Sequence, residues 1–553
     1  MRPIPKSRHL PAVVLLALAS VAAGYFACLD RRVSEDQIRS LTAAIKHHDG
    51  SLYVHDFVFG PDAVWRFESP AYQTAIRWIF RLTGYDNDLM PVQILAGAVV
   101  MIYLCGMYAL LYRQTRSWSV SVLMAILSST VIHSLGGAFW GVGSLASITP
   151  AGLCVALTPL LVLAYMWRRD TGGLWAVFGW IGLMGNLHPA SAMNLAIVLL
   201  ILYLGQRRFS RRAWPAALGY AVVALVGSLP VLFYRHWTAL QTAPAGAGVS
   251  TDVVRQALGL AEWNVLYPHV LDGVVTWLGL AAALLVIAAV ILSRGARFRI
   301  RDFRLWVWCI LGSLLVTFLF QGASQLLGMA LGRPPLVVGF ARASSLVMLP
   351  LYVLLAQAVT TLFRIARSHR ALTRWALAAL TAVWMVPSDN LRVARYAVAD
   401  TVTMFMREES KPRYVRKHHA HHHEWSEMHN IAVWAGRNTP PAAVFITDRT
   451  EFRMYARRSI LLASSDVAPL YRFTPWRLAE WTRVFTEQRK ALTEAARSAS
   501  ALKDLVELLS RTERLRNVPQ WYIIVRAGSD AAAHLKPVDG AGWGRYYQLC
   551  RVR

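Results

Sequence analysis

Apolar runs long enough to cross a bilayer are joined along this chain by two kinds of connection, which alternate without a break. One kind is short and dense in arginine: Arg2/Lys6/Arg8, Arg113/Arg116, Arg168/Arg169, Arg207/Arg208/Arg211/Arg212, the stretch 294–304 and the stretch 364–374. The other kind is longer and carries aspartate, glutamate, histidine and tryptophan instead. Positive residues collect on the cytoplasmic side of a membrane, so the alternation assigns each connection to a face. Chemistry that needs ionisable groups is then expected in the arginine-poor connections, on the outer face.

Composition agrees with such a chain. Of 553 residues, 56% are hydrophobic and 16% charged, where a soluble protein carries about a quarter charged residues. The net charge of +27 raises nucleic acid as a partner. Its placement between spans suits topology and anionic headgroups better, so the bilayer is the expected partner and nucleic acid is not. The five cysteines show no CxxC spacing, so neither a thiolate metal site nor a disulfide framework is expected. The first apolar run lacks a clear cleavage site and reads as an uncleaved span.

A crossing takes about twenty mostly apolar residues. On that measure about eleven spans are predicted, near 10–29, 91–112, 118–136, 148–167, 174–186, 189–205, 213–233, 274–293, 304–322, 341–362 and 372–387. The short segments 174–186 and 189–205 read either as two spans or as a broken re-entrant element. The fold class is an α-helical polytopic membrane protein in residues 1–387, followed by a small α/β domain in 388–553. The first residues lie inside and the last domain outside, in the periplasm if the membrane is a bacterial inner membrane. The first outer loop, 30–90, shows amphipathic helical pattern at Gln37–Ile45 and Tyr72–Leu82. Buried strands are expected at Ala443–Thr447 and Trp521–Val525.

The densest ionisable cluster outside the spans runs from His47 to Asp56, with Asp62 and Glu68 following. Asp56 stands between aromatic residues rather than in a polar run. An aspartate near the outer surface can take a proton from an attacking hydroxyl, and partial burial raises its pKa toward that task. The plainer reading is an Asp49-Gly50 turn with solvated charges, and Pro61-Asp62 as a helix start. His188, in Asn186-Leu187-His188-Pro189, falls at the outer membrane boundary, where an ionisable residue often faces a cavity. The alternative there is a hydrogen-bonded histidine in a helix break. Arg342 lies on the outer side against the positive-inside trend, and its guanidinium suits either a phosphate or outer headgroups. Arg333 and Arg235 share that reasoning. The histidines at 418–423 raise metal binding, although adjacent histidines seldom make a spaced, supported site. No P-loop, dinucleotide fingerprint, nucleophile elbow or HExxH motif occurs.

The long first outer loop with Ser51-Leu52-Tyr53 and then Asp56 resembles the GT-C superfamily of integral-membrane glycosyltransferases, closest to bacterial members with a Leu-Tyr-x-x-Asp element. A second element, Trp434-Ala435-Gly436-Arg437-Asn438-Thr439-Pro440 followed by Phe445, Phe452-Arg453 and Arg457-Arg458-Ser459, is similar to those members' entry into a small outer domain. The resemblance implies transfer of a sugar from a polyprenyl-phosphate donor to a lipid, glycan or protein acceptor on the outer face. It also implies Asp56 as catalytic base. Arg342, His188, His55, Tyr53 and Glu68 are the expected substrate-binding residues. The acidic pair of many members is taken as absent, with His55-Asp56 in its place. No residues are assigned to a metal, no cofactor is fixed, and a divalent metal stays open. Two other readings stand beside this one: a polytopic transporter or flippase, and a non-catalytic scaffold of envelope glycan assembly with the same architecture.

Overall fold

The computed structural model describes residues 9–29, 33–60, 64–85, 88–168, 172–244, 249–262, 299–330, 339–365, 389–495, 500–538 and 543–552, with scattered positions between 281 and 295. Most of them are helical. Seven of the described helices are long and apolar enough to cross a membrane: Leu10–Leu29, Met90–Thr115, Pro150–Arg168, Pro189–Gln206, Ala213–Thr242, Phe303–Gly328 and Phe340–Ile365. The protein is therefore a helical, multi-pass membrane protein. Two shorter apolar helices, Trp118–Ser128 and Leu174–Met184, occupy two more of the predicted spans. The span expected at 372–387 and most of that at 274–293 lie outside the described residues, as do Arg333 and Asp62.

Helices Leu10–Leu29 and Ala213–Thr242 leave leucine, valine and phenylalanine side chains exposed along their length. Such surface is stable only against hydrocarbon. The expected pair 174–186 and 189–205 forms two separate helices joined by a tight turn. There Asn186 donates to Gly227 O and accepts from Val231 N–H, bridging helix Ala213–Thr242 beside its internal Pro230.

Two of the arginine-rich connections meet where Arg301 donates to Arg113 O at 2.7 Å and Gln114 to Asp302 at 3.2 Å. Two of the arginine-poor connections meet where Gln37 and Tyr72 of the first loop both donate to Ile148 O.

The C-terminal part carries a five-stranded sheet in the order β4-β3-β5-β7-β6: β3 Val444–Ile446, β4 Ser459–Ile460, β5 Trp521–Arg526, β6 Lys536–Pro537 and β7 Tyr547–Arg551. The two predicted strands are its β3 and β5, paired in parallel with Val444 opposite Trp521. Helix Arg413–Asn438 precedes β3. Arg458 closes its C-terminus by donating to Gly436 O and Thr439 O, which gives the Trp434–Pro440 element a structural role. The first outer loop packs into this domain: Tyr53, Phe57 and Phe59 share one buried core with Val444, Ile446 and Trp481.

Candidate functional site

The first outer loop re-enters the protein as helix Glu35–His48. Ser34 and Gln37 form a reciprocal capping box at its start. Asp36 and Arg39, three residues apart, lie on one face of it, and Arg39 Nη2 donates to Asp36 Oδ1 at 2.8 Å. The Nε of the same guanidinium is held by Glu68, which also accepts from Ser40 Oγ. Arg39 is thereby fixed against Asp36 rather than free to swing.

Asp36 and Arg39 line a cavity of about 480 Å³, together with Glu35, His133, Arg342, Arg453, Asp466 and Arg472. The lining comes from the first outer loop, the connection around residues 131–149, the start of helix Phe340–Ile365 and the C-terminal domain. Two loop features bring Arg342 here. The hairpin β1 Ile132–His133 and β2 Phe139–Trp140 turns over its tip at Gly136, where φ is +70°. A Cβ at Gly136 would stand 2.9 Å from Ala341 Cβ, so glycine lets the hairpin lie against the Arg342 backbone. Arg342 Nε then donates to Gly136 O at 3.2 Å.

The other side of Arg342 meets His188, with Nη1 and Nε2 3.2 Å apart. The His188 Nδ1 accepts from Ser191 N–H at 3.2 Å and lies 2.8 Å from Ser191 Oγ. Burial, and then the positive charge of Arg342, hold the His188 pKa well below the usual imidazole range. His188 is thus a neutral support for Arg342 rather than a second cation.

The electrostatics centre on Asp36. Burial works to raise its pKa, but Arg39, then Arg472 and Arg342, overcome that and hold it far below the usual carboxylate range. Arg472 is pushed down to about 10 by burial and by its neighbour Arg342. Glu35 moves the other way: burial raises its carboxyl, against the hydrogen bond it accepts from Thr450. Asp36 keeps 43% of its side chain accessible, although it lies deep in the protein; that surface belongs to the cavity. No donor occupies its Oδ2 among the described residues. An anion entering the cavity would meet Arg342 and Arg472, with an unsaturated carboxylate beside it.

The sequence-predicted residues divide. Arg342 lines the cavity, and His188 is held against Arg342 without lining the cavity itself. Asp56, Tyr53, His55 and Glu68 do not line it. Asp56 is fully buried and its oxygens accept four hydrogen bonds, from Val58 N, Phe59 N, Ile460 N and Arg453 Nε. Tyr53, with φ of +58°, donates to Arg453 O. His55 Nδ1 lies 2.7 Å from Arg514 O. Glu68 reaches the site only through Arg39. These four tie the first loop together and to the C-terminal domain.

Asp36, Arg39 and Arg472 were missed. The signal for the first two was present: Glu35-Asp36 is an acidic pair just after the first span, so the first loop does hold the feature taken as absent. It is hidden by being a favourable helix start, where acidic residues suit the dipole. Arg472 carries no local signal.

Arg342 also lines a small pocket of about 30 Å³ with Cys154, Thr158, Ser191, Asn194 and Leu346, between membrane helices Pro150–Arg168, Pro189–Gln206 and Phe340–Ile365. Elsewhere, among the described residues no group of three or more histidine, cysteine, aspartate or glutamate side chains converges to hold a metal. In the histidine cluster, His419 instead bridges Asp400 and Glu408. Comparison with known protein families and with curated proteins gives no match.

Proposed function

We propose that this protein is a membrane glycosyltransferase of the GT-C type, moving a sugar from a polyprenyl-phosphate donor to a lipid, glycan or protein acceptor. The membrane would be a bacterial inner membrane crossed about eleven times, with the cavity and the C-terminal domain on the periplasmic face. One observation carries the reading: an unsaturated carboxylate, Asp36, faces a cavity that also presents Arg342 and Arg472. A phosphate head group needs a cationic seat of that kind.

In this reading the acceptor hydroxyl attacks the anomeric carbon while the bond from that carbon to the phosphate oxygen breaks. The phosphate leaves with the bonding electron pair and is neutralised by Arg342 and Arg472. The acceptor proton passes to Asp36. Without substrate, the surrounding guanidinium groups make Asp36 a poor base. A phosphate bound to them weakens their pull, and the proton affinity of Asp36 rises as the donor arrives. We assign the base to Asp36 rather than Asp56 because a base needs a lone pair not already committed. Asp56 instead anchors Arg453 at the cavity wall.

The test is protein reconstituted in lipid vesicles with radiolabelled polyprenyl-phosphate sugars. Arg342→Ala should lose retention of the lipid phosphate. Asp36→Asn should retain it and lose transfer. Unchanged transfer by Asp36→Asn rejects the assignment, and no retention of any polyprenyl phosphate by the unaltered protein rejects the function.

A further inference from the structure

Helix Asp389–Val402 packs against the first membrane helix, Leu10–Leu29. Where it ends, Val402, Met404 and Phe405 protrude, exposed by 73%, 61% and 91%. Large apolar side chains at that density are rarely left in water. Residues 407–417 then carry five basic side chains, Arg407, Lys411, Arg413, Arg416 and Lys417, against the acidic Glu408 and Glu409, with Lys411 paired to Glu408 at 2.8 Å. The Arg395 guanidinium lies 5.3 Å from the ring of Tyr396 and 5.5 Å from that of Tyr414, so two tyrosines and a cation border the same protrusion.

A clamp fixes its shape. His419 Nε2 lies 2.7 Å from Asp400 and Nδ1 2.8 Å from Glu408. One imidazole therefore joins the helix to the turn Glu408–Ser410 and presents the intervening apolar residues as a bent tip. An apolar tip ringed by tyrosine and basic side chains has the composition of elements that lie in a membrane interface.

We infer that residues 398–414 are seated in the headgroup region of the bilayer that holds the spans, with Phe405 leading and the basic residues on anionic lipid. Two observations name the occupant: the segment continues from a helix lying against a membrane helix, and the stretch 407–417 after the apolar tip carries five basic side chains against two acidic ones, an excess that suits anionic headgroups. The inference does not depend on glycosyl transfer. It gives the C-terminal domain a second hold on the membrane, beyond its covalent attachment and its packing on the first outer loop.

Site-directed spin labelling tests it on the full chain. Cys28 and Cys105, the exposed cysteines among the described residues, are replaced by serine. A label is placed by Phe405→Cys or, as control on the domain surface, by Leu508→Cys. In vesicles of phosphatidylcholine and phosphatidylglycerol, the label at 405 should collide several-fold more with oxygen than with a water-soluble nickel chelate, and the label at 508 should show the reverse. Adding Arg407→Glu and Arg413→Glu should raise nickel access at 405, and do so less in phosphatidylcholine alone. Equal nickel access at the two positions overturns the proposal. Spin–spin broadening at 405, which would place a second copy on the tip, also overturns it.

Discussion

Asp36 and Asp56 sit in the same outer loop, twenty residues apart, and the protein uses them in opposite ways. Asp56 is sealed: three backbone N–H groups and Arg453 occupy both oxygens, and no solvent reaches it. Asp36 receives one hydrogen bond, from Arg39, and turns its remaining surface to a cavity. Both stand beside arginine, so proximity to positive charge does not separate them. The difference is saturation. A carboxylate whose acceptor capacity is filled by the fold can hold elements together but cannot take a proton without losing those bonds. One left unsaturated beside a cavity can act on what enters it.

The sharpest attempt to break this contrast is the pair of conservative replacements. Asp36→Asn is expected to lower transfer by about 100- to 10,000-fold, the range for loss of a general base, with a smaller fall in melting temperature than Asp56→Ala because Arg39 keeps its bond to Glu68. If transfer persists, Asp36 has no such role. Asp56→Ala should do the converse. It leaves Arg453 with Asp466 alone and three amides without their acceptor, and breaking a buried pair from one side costs about 3–5 kcal/mol. A large fall in melting temperature, or failure to accumulate in membranes, is the expected readout.

Arg342 gives a smaller, graded effect. Arg342→Ala should weaken binding of a polyprenyl phosphate by about 1.5–3 kcal/mol, the worth of a charged hydrogen bond. Arg342→Lys should recover only part of that, because a lysine lacks the fork that meets Gly136 O and His188 together.

The smallest effects are in pH, and two histidines should oppose each other. The pKa of His188 is lowered in the folded protein, so below its unfolded value of about 6.5 the unfolded chain binds the extra proton and stability falls with acid. The pKa of His419 is raised: burial works against it, but hydrogen bonds to Asp400 and Glu408 prevail. Its contribution is complete below the unfolded value and is lost as pH rises through the folded one. Melting temperature against pH should therefore flatten on the acid side in His188→Gln and on the neutral side in His419→Gln. Parallel curves for the two variants would contradict the assigned protonation states.

Some of this was legible in the residues. Arg342 stood out because it lies on the outer side against the positive-inside trend, and it lines the cavity. His188 stood out because it breaks two apolar runs, and it supports Arg342. Val444–Ile446 and Trp521–Arg526 announced themselves as short apolar runs between polar stretches, and they pair in the sheet. The first-loop acid was harder. Asp56 looked special because aromatic neighbours suggest burial, and burial was right; but burial does not say whether the lone pairs are free. Asp36 looked ordinary because acidic residues belong at helix starts. Arg472 gave no hint, being one arginine in an arginine-rich domain.

From the residues alone the chain reads as a helical, multi-pass membrane protein, as the apolar helices bear out. Hydrophobicity accumulates along each segment, and charge placement is counted loop by loop, so both signals are local and additive. The tertiary structure alone decided which carboxylate faces a cavity and which is sealed. The partner that fills Asp56 is Arg453, 397 residues away, and the cations around Asp36 include Arg342 and Arg472, from distant segments. Saturation of a side chain depends on what the fold brings against it, and neither aspartate's neighbours in the chain carry that information.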